Sequence, residues 1–157
     1  MSEKNFSERN IEGAGVRHDP QGWGISVMYG IVTRASSWDH KVEIGNSVVE
    51  YSDLERQLEG LSERTGRDYT ACILTSDEAP VDYNTPEEER LDATCTIGVA
   101  VPSIMHAQDQ SHDGLVKGKT LQRILGESRL IIEDLKSLGF KDITPDDLYL
   151  HANAYDH

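Results

Sequence analysis

The chain is poor in cysteine and in long apolar runs, and both shortages restrict its class. Only 2 cysteines, Cys72 and Cys95, occur among 157 residues. Two cysteines cannot build a disulfide framework, and both lie in apolar, strand-like stretches, so we predict two buried free thiols. No apolar run approaches the roughly 20 residues that span a bilayer. We therefore predict no membrane partner and, without the apolar stretch of a secretory signal, a cytoplasmic protein.

Basic residues are the second shortage. The chain has 15 lysines and arginines against 28 aspartates and glutamates, for a formal net charge of -13. Such a surface repels nucleic-acid phosphates at long range, so we predict no direct sequence-specific nucleic-acid binding. Acidity keeps a protein soluble, and it also suits the lumen of a ring through which DNA slides.

The rest of the sequence predicts one domain preceded by a polar arm. Residues 1–18 are polar and have no sustained period, which predicts a flexible N-terminal arm. Residues 19–157 are enough to bury a core without a disulfide or a metal. We therefore predict a single α+β domain over 19–157.

Alternating apolar residues predict six strands. In the segment from Gly24 to Arg34, apolar residues occupy alternate positions, which predicts the first strand. The second and third strands are predicted within residues 42–51, on the two sides of Gly45-Asn46, a dipeptide that favours a tight hairpin. The segment from Ala93 to Val101 has only small residues on its second face, so we expect it to be paired on both edges or closely backed. The other two predicted strands are 69–76 and 147–155.

Two segments have helical spacing. Residues 52–55 have a capping-box sequence, leucines follow at helical intervals, and Gly66 suits a left-handed C-cap, so we predict a helix over 52–65. Residues 121–138 carry a wide apolar stripe and predict the longest helix. The positions predicted to be core on the most periodic elements are Leu125, Ile131, Leu135, Ile97 and Val99.

The order of these elements predicts an α+β fold with a mixed or mainly antiparallel sheet and two main helices packed on one face. Both helices are apolar on one side, as a helix that rests on a sheet requires. An acidic loop, residues 77–92, and a polar loop, residues 103–117, connect the later elements.

Residues 114–120 are similar to a phosphate-binding loop, because Gly118-Lys119-Thr120 precedes a predicted helix. The motif needs four residues between its glycines, whereas three separate Gly114 from Gly118. We therefore predict no nucleotide site and no cofactor.

Four residues are weak candidates for a metal site: His106, His112, Asp113 and His151. Their spacing matches no single helix face, and solvated polar loops are the simpler interpretation. No serine lies in a nucleophile elbow and neither cysteine has a basic setting, so we predict no catalytic residue.

Five residues are candidates for an interface. Glu87, Glu88 and Glu89 form an acidic cluster in the loop 77–92, and Trp23 and Trp38 bracket the first predicted strand. A glutamate cluster is commonly a solvated surface, and a tryptophan is commonly either core or an interface anchor.

The middle of the chain resembles the tail-terminator and tail-completion proteins of tailed bacteriophages. The matching layout is the helix 52–65, the strand 69–74, the loop 76–92, the strand 94–101 and the helix 121–138. The resemblance covers about two-thirds of the chain and rests on layout, without a diagnostic motif. The first 50 residues differ, since these phage proteins usually begin with a helix.

The resemblance implies a homo-oligomeric ring that joins the tail tube to the neck, with other structural proteins as partners and the virion as its final location. It implies an assembly function without catalysis. Two other interpretations of the residues stay open. One is a small intracellular enzyme or ligand-binding domain that uses the histidine-containing loop, and the other is an acidic inhibitor that mimics nucleic acid.

Overall fold

The protein has an α+β fold. Its structure is a computed structural model that describes residues 16–18, 23–75, 84–86, 90–102, 104–105 and 114–156. The strands are β1 (Val16–His18), β2 (Trp23–Ser36), β3 (Lys41–Ile44), β4 (Ser47–Glu50), β5 (Tyr69–Thr75), β6 (Ala93–Ala100), β7 (Ile104–Met105), β8 (Gly114–Leu115) and β9 (Tyr149–Asp156). The helices are α1 (Tyr51–Thr65), α2 (Gly118–Gly126) and α3 (Ser128–Lys136), with a 3₁₀ turn at Pro145–Asp147.

Seven strands form one antiparallel sheet around β2. The central order is β4-β3-β2-β6-β5, and β1 and β9 also pair with β2. The prediction that the strand near 93–101 is paired on both edges is confirmed, because β6 lies between β2 and β5. β7 and β8 form a separate two-stranded ladder inside the region predicted to be a loop.

The long strand β2 has two edges with different partners. β9 pairs with residues 23–30 of β2 and β6 pairs with residues 28–35, so these two strands must lie on opposite edges. β1 overlaps the β9 segment and therefore lies on the β6 edge, whereas β3 overlaps the β6 segment and therefore lies on the β9 edge. We call the edge with β1 and β6 the continuous edge and the edge with β9 and β3 the interrupted edge.

One face of the sheet packs against the helices. Alternate residues of β2, among them Tyr29 and Ile31, share a buried cluster with Ile97 and Val99 of β6. The helices contribute Leu54, Leu58, Leu61, Ile124, Ile131, Ile132 and Leu135 to this cluster.

Helix α1 forms where the sequence predicts it, but it begins differently. Gly66 has φ 76° and closes the helix in the left-handed conformation, as predicted. The predicted capping box is wrong: the N-cap residue is Glu50, which makes no side-chain cap hydrogen bond. The backbone amide of Tyr51 bonds to the carbonyl of His40, so the β3–β4 pairing continues directly into the first helical residue.

The predicted long helix is divided in two at Glu127. This residue has φ -96° and ψ 13°, and it follows Gly126, whose helix propensity is low. The Ser128 hydroxyl bonds to the carbonyl of Leu125, which further replaces regular helical bonding. Leu125 was predicted to be core but is 44% exposed, because α2 buries the neighbouring Ile124 instead. The other four predicted core residues are buried.

Two boundaries also differ from the predictions. Val16–His18, assigned to the arm, form β1 because β2 extends far enough to pair with them. The last strand begins at Tyr149 because the 3₁₀ turn occupies Pro145–Asp147. Residues 1–15 of the predicted arm lie outside the described residues, as does most of the acidic loop.

Candidate assembly surfaces

The interrupted edge of β2 has a gap between two collinear strands. Pairing with β9 ends at the Gly30–Tyr149 pair, and pairing with β3 begins at the Ala35–Val42 pair. Among the described residues, no strand pairs with Ile31–Arg34 on this edge. We call this gap the β2 slot. Four strand residues correspond to about 13 Å of edge.

The main chain of Val32 points into the β2 slot. The amide of Val101 donates to the carbonyl of Val27, which makes these two residues a hydrogen-bonded pair on the continuous edge. Bonded pairs alternate along an antiparallel ladder, so the amides of Ile31 and Thr33 also point to the continuous edge. The Val32 N–H and C=O point the opposite way, and neither has a hydrogen-bond partner within the described part of the chain.

Side-chain contacts hold one end of the β2 slot open. The Thr33 hydroxyl donates to the carbonyl oxygen of Glu43 at 2.7 Å and so takes an acceptor that a backbone amide would otherwise use. The Arg34 guanidinium pairs with the Glu43 carboxylate at 2.7 Å and 3.2 Å. β3 is therefore tethered to β2 through side chains where the backbone ladder stops.

A turn at the other end leads the chain away from β2. The Thr144 hydroxyl accepts from the Asp146 amide, and the Asp147 carboxylate accepts from the Thr144 amide, which forms a capping box with Pro145 in the first helical turn. This turn stops β9 from extending along Val32. Thr-Pro-Asp-Asp is a recognisable cap sequence, so this boundary was available from the sequence and was missed.

The β2 slot opens into a pocket of about 390 Å³. Val32 and Tyr149 lie on the sheet face opposite the helices and are 46% and 60% exposed. Asp142 has φ 58°, a conformation that few non-glycine residues adopt. The lining also includes Ile31, Thr33, Gly45, Phe140, Lys141, Ile143 and Asp147.

The outer edge of β5 is closed by helix α1. The Tyr51 hydroxyl donates to the Ala71 carbonyl at 2.8 Å, and the Tyr69 amide donates to the Ser62 hydroxyl at 2.9 Å. These bonds occupy main-chain groups that an added strand would need. At the opposite end of the sheet, β4 is short and its Val48 is exposed.

An ionic cluster joins α1, β5 and the helix division. Arg67 lies 3.2 Å from Glu127 and 3.2 Å from Asp134, and the Tyr69 hydroxyl also bonds to Asp134. Burial, followed by the bond to Asp134, raises the pKa of Tyr69 well above its usual range. The cluster fixes the position of α3, since each cation and acid in it has a partner.

The structure describes one of the four metal-site candidates, His151. His151 lies on β9 opposite Met28, its Nδ1 is buried without a partner, and burial lowers its pKa. His106, His112 and Asp113 lie outside the described residues. Within the described ranges there is no group of three histidine, cysteine or acidic side chains that is arranged to hold a metal.

Of the five interface candidates, only Trp38 has a side chain that the structure describes. Trp38 is 69% exposed in the turn between β2 and β3, which suits a contact residue. Trp23 is the first residue of β2, and its side chain lies outside the described part of the structure. Glu87, Glu88 and Glu89 also lie outside it.

Both cysteines are free, but their burial differs. Cys95 is fully buried, and burial raises the pKa of its thiol to about 12. Cys72 is partly buried, and burial raises the pKa of its thiol as well. Both thiols are therefore protonated at neutral pH, which makes them poor nucleophiles.

Comparison with known proteins gives no relative: no family model, curated protein or solved structure matches the chain. No helix in the described ranges has the length and apolar character to cross a bilayer.

Proposed function

We propose that this chain is a structural assembly protein that forms a homo-oligomer, and that it acts as a ring component joining a bacteriophage tail tube to the neck. The general proposal of an assembly protein rests on main-chain and apolar groups that are open to a neighbouring subunit. The specific proposal of a tail terminator rests on the resemblance in layout.

The β2 slot is the observation that carries the assembly proposal. It combines an unpaired main-chain donor and acceptor on Val32 with the exposed side chains of Val32 and Tyr149. Unpaired strand edges are sites at which another chain adds a strand, and natural proteins usually protect them. β5 is protected by Tyr51 and Ser62, whereas the β2 slot is not.

The layout supports the more specific role. Helix α1, strands β5 and β6, the two helices α2 and α3 and strand β9 follow one another in the order that the resemblance requires. The net charge of -13 suits a ring lumen through which DNA passes without sticking.

Light scattering coupled to size exclusion, over a range of protein concentrations, tests this function. We expect a closed oligomer whose mass is a fixed multiple of the 17.5 kDa chain. A chain that stays monomeric at every concentration and joins no assembly would overturn the proposal. A monomer that captures a basic nucleic-acid-binding protein would favour the inhibitor instead, and a monomer with bound metal would favour an enzyme.

A further inference from the structure

We propose that strand β9 pairs antiparallel with β9 of a second copy of this chain, about a two-fold axis that passes through Ala152. This inference rests on the proposed homo-oligomer and names one contact that builds it. A two-fold contact closes on itself, so it joins subunits in pairs and leaves the β2 slot free for a further contact.

The outer edge of β9 presents unpaired main-chain groups. Pairing with β2 uses the inner edge of β9, and no strand in the described ranges pairs with its outer edge. The Met28 main chain points to the interrupted edge, so Met28 and His151 form a bonded pair, and bonded pairs alternate along the ladder. The N–H and C=O groups of Leu150, Ala152 and Ala154 therefore point outward.

Apolar side chains beside these main-chain groups are open to solvent. Leu150 and Ala152 pair with Tyr29 and Val27, so they lie on the sheet face that packs against the helices. Both are nonetheless exposed, Leu150 to 51%, and neither belongs to the buried cluster that the helices form. A strand added at this edge continues the sheet and covers part of this apolar surface.

The lack of charge on β9 suits contact between two copies of an acidic chain. Each copy has a net charge of -13, and like charges brought together in an interface cost free energy. Residues 149–155 contain no lysine, arginine, aspartate or glutamate, although charges commonly protect an edge strand from pairing. Among the other described edges, β1 carries Arg17, β4 ends in Glu50, the β2 slot is lined by Lys141 and two aspartates, and β5 is closed by α1. β7 and β8 have only two residues each.

The sequence of β9 matches itself when it is reversed about Ala152, which identifies a second copy as the occupant. Residues 149–155 are Tyr-Leu-His-Ala-Asn-Ala-Tyr. Antiparallel pairing about an axis at Ala152 sets each residue opposite the one equally far from Ala152 in the partner subunit. The resulting pairs are Tyr149–Tyr155, Leu150–Ala154, His151–Asn153 and Ala152–Ala152. Aromatic residues, apolar residues and neutral polar residues thus meet their own kind, and every outward main-chain group from Leu150 to Ala154 gains a partner.

The neighbouring symmetric registers fit less well. An axis at Asn153 sets the apolar Leu150 opposite the carboxylate of Asp156. An axis at His151 sets Ala154 opposite Leu148, which lies before β9 begins. The axis at Ala152 is therefore the one that pairs the strand with itself from Tyr149 onwards.

Cysteine crosslinking in the full chain tests the position of the axis. Ala152→Cys sets two thiols in a bonded pair whose Cα atoms are about 5.5 Å apart, so we expect a disulfide-linked dimer on oxidation with diamide. Asn153→Cys is the matched control, because its two copies lie diagonally, about 7–8 Å apart, and should not crosslink. The wild type gives the background from Cys72 and Cys95. Equal crosslinking of the two variants, or crosslinking of Asn153→Cys alone, would overturn the axis at Ala152.

Light scattering on charged variants completes the test. Ala152→Lys sets two cations opposite each other at the axis and should weaken association about tenfold, while thermal unfolding shows that the exposed lysine is tolerated. Val48→Lys, at an exposed position of β4, is the control and should leave the mass unchanged. If the wild type oligomerises but Ala152→Lys has the same mass and Ala152→Cys does not crosslink, the β9 contact is wrong while the assembly function stands. If the wild type is monomeric at every concentration, the β9 contact and the homo-oligomer are overturned together.

Discussion

The two edges of β2 differ in how completely they are paired. The continuous edge carries β1 and then β6, and the pairing with β6 runs without a break from Met28 to Ala35. The interrupted edge carries β9 and β3, with the β2 slot between them. One strand thus has an unbroken ladder on one edge and a gap between two partners on the other.

The difference shows that a fold and a contact surface can come from one strand. On the continuous edge, β6 lies between β2 and β5 and contributes Ile97 and Val99 to the core, so its geometry is fixed by packing. On the interrupted edge, two local turns end the strand pairing: the 3₁₀ turn before β9 and the Gly45-Asn46 hairpin after β3. Changes on the continuous edge should therefore cost stability, whereas changes in the β2 slot should affect association.

The largest expected effect is in the core beside the continuous edge. Leu135→Ala should lower the free energy of unfolding by about 2–5 kcal/mol, because the side chain is fully buried. Leu125→Ala is the control and should cost about 1 kcal/mol or less, because nearly half of that side chain is exposed. Denaturant unfolding measures both, and equal losses would contradict the division of the helix at Glu127.

The second prediction concerns the close approach of β2 and β6. A Cβ atom at Gly98 would lie 2.1 Å from the Tyr29 carbonyl oxygen and 2.4 Å from the Gly30 Cα. Gly98→Ala should therefore cost about 1–3 kcal/mol through forced backbone movement. Gly60→Ala, in helix α1 with only an arginine side chain nearby, should instead stabilise by about 0.5–1 kcal/mol. A neutral Gly98→Ala would contradict this pairing.

The third prediction compares proline at neighbouring positions of β2. Thr33→Pro removes an amide that bonds to β6, whereas Val32→Pro removes one that faces the β2 slot. Proline restricts φ in both, so the difference reports the amide bond to β6 and the acceptor it leaves unpaired, together with the Thr33 hydroxyl bond to Glu43 that Thr33→Pro also removes. Thr33→Pro should be the less stable variant by about 1–3 kcal/mol. Thermal unfolding compares the two variants. If Val32→Pro were the less stable one, the Val32 amide would not be the one that faces the β2 slot.

The smallest expected effect is at the closed edge of β5. Tyr51→Phe removes the hydroxyl that bonds to Ala71 and should cost about 1 kcal/mol. Tyr149→Phe is the control, because the Tyr149 hydroxyl makes no hydrogen bond within the described part of the chain. It should leave the free energy of unfolding unchanged. Chemical denaturation checks the pair. A Tyr51→Phe variant as stable as the wild type would show that α1 does not close this edge.

The sequence predicted the fold better than the surfaces. Alternation and helical spacing located β2, β6 and α1 because side-chain burial is a local pattern in each of them. The division at Glu127 was missed because the apolar stripe continues through it, while the cause lies partly in the contact of Glu127 with distant Arg67. The β2 slot was missed because it depends on which strands share an edge, a property that no single segment encodes.

Amide hydrogen exchange along β2, followed by NMR in the chain without residues 2–15, tests the central claim most directly. The account predicts that the amides of Ile31, Thr33 and Ala35 are strongly protected by β6, while the amide of Val32 exchanges far faster. The Met28 and Gly30 amides, which face β9, should be protected again. Protection of Val32 equal to that of Thr33 would contradict the account, because it would mean that the interrupted edge is already closed.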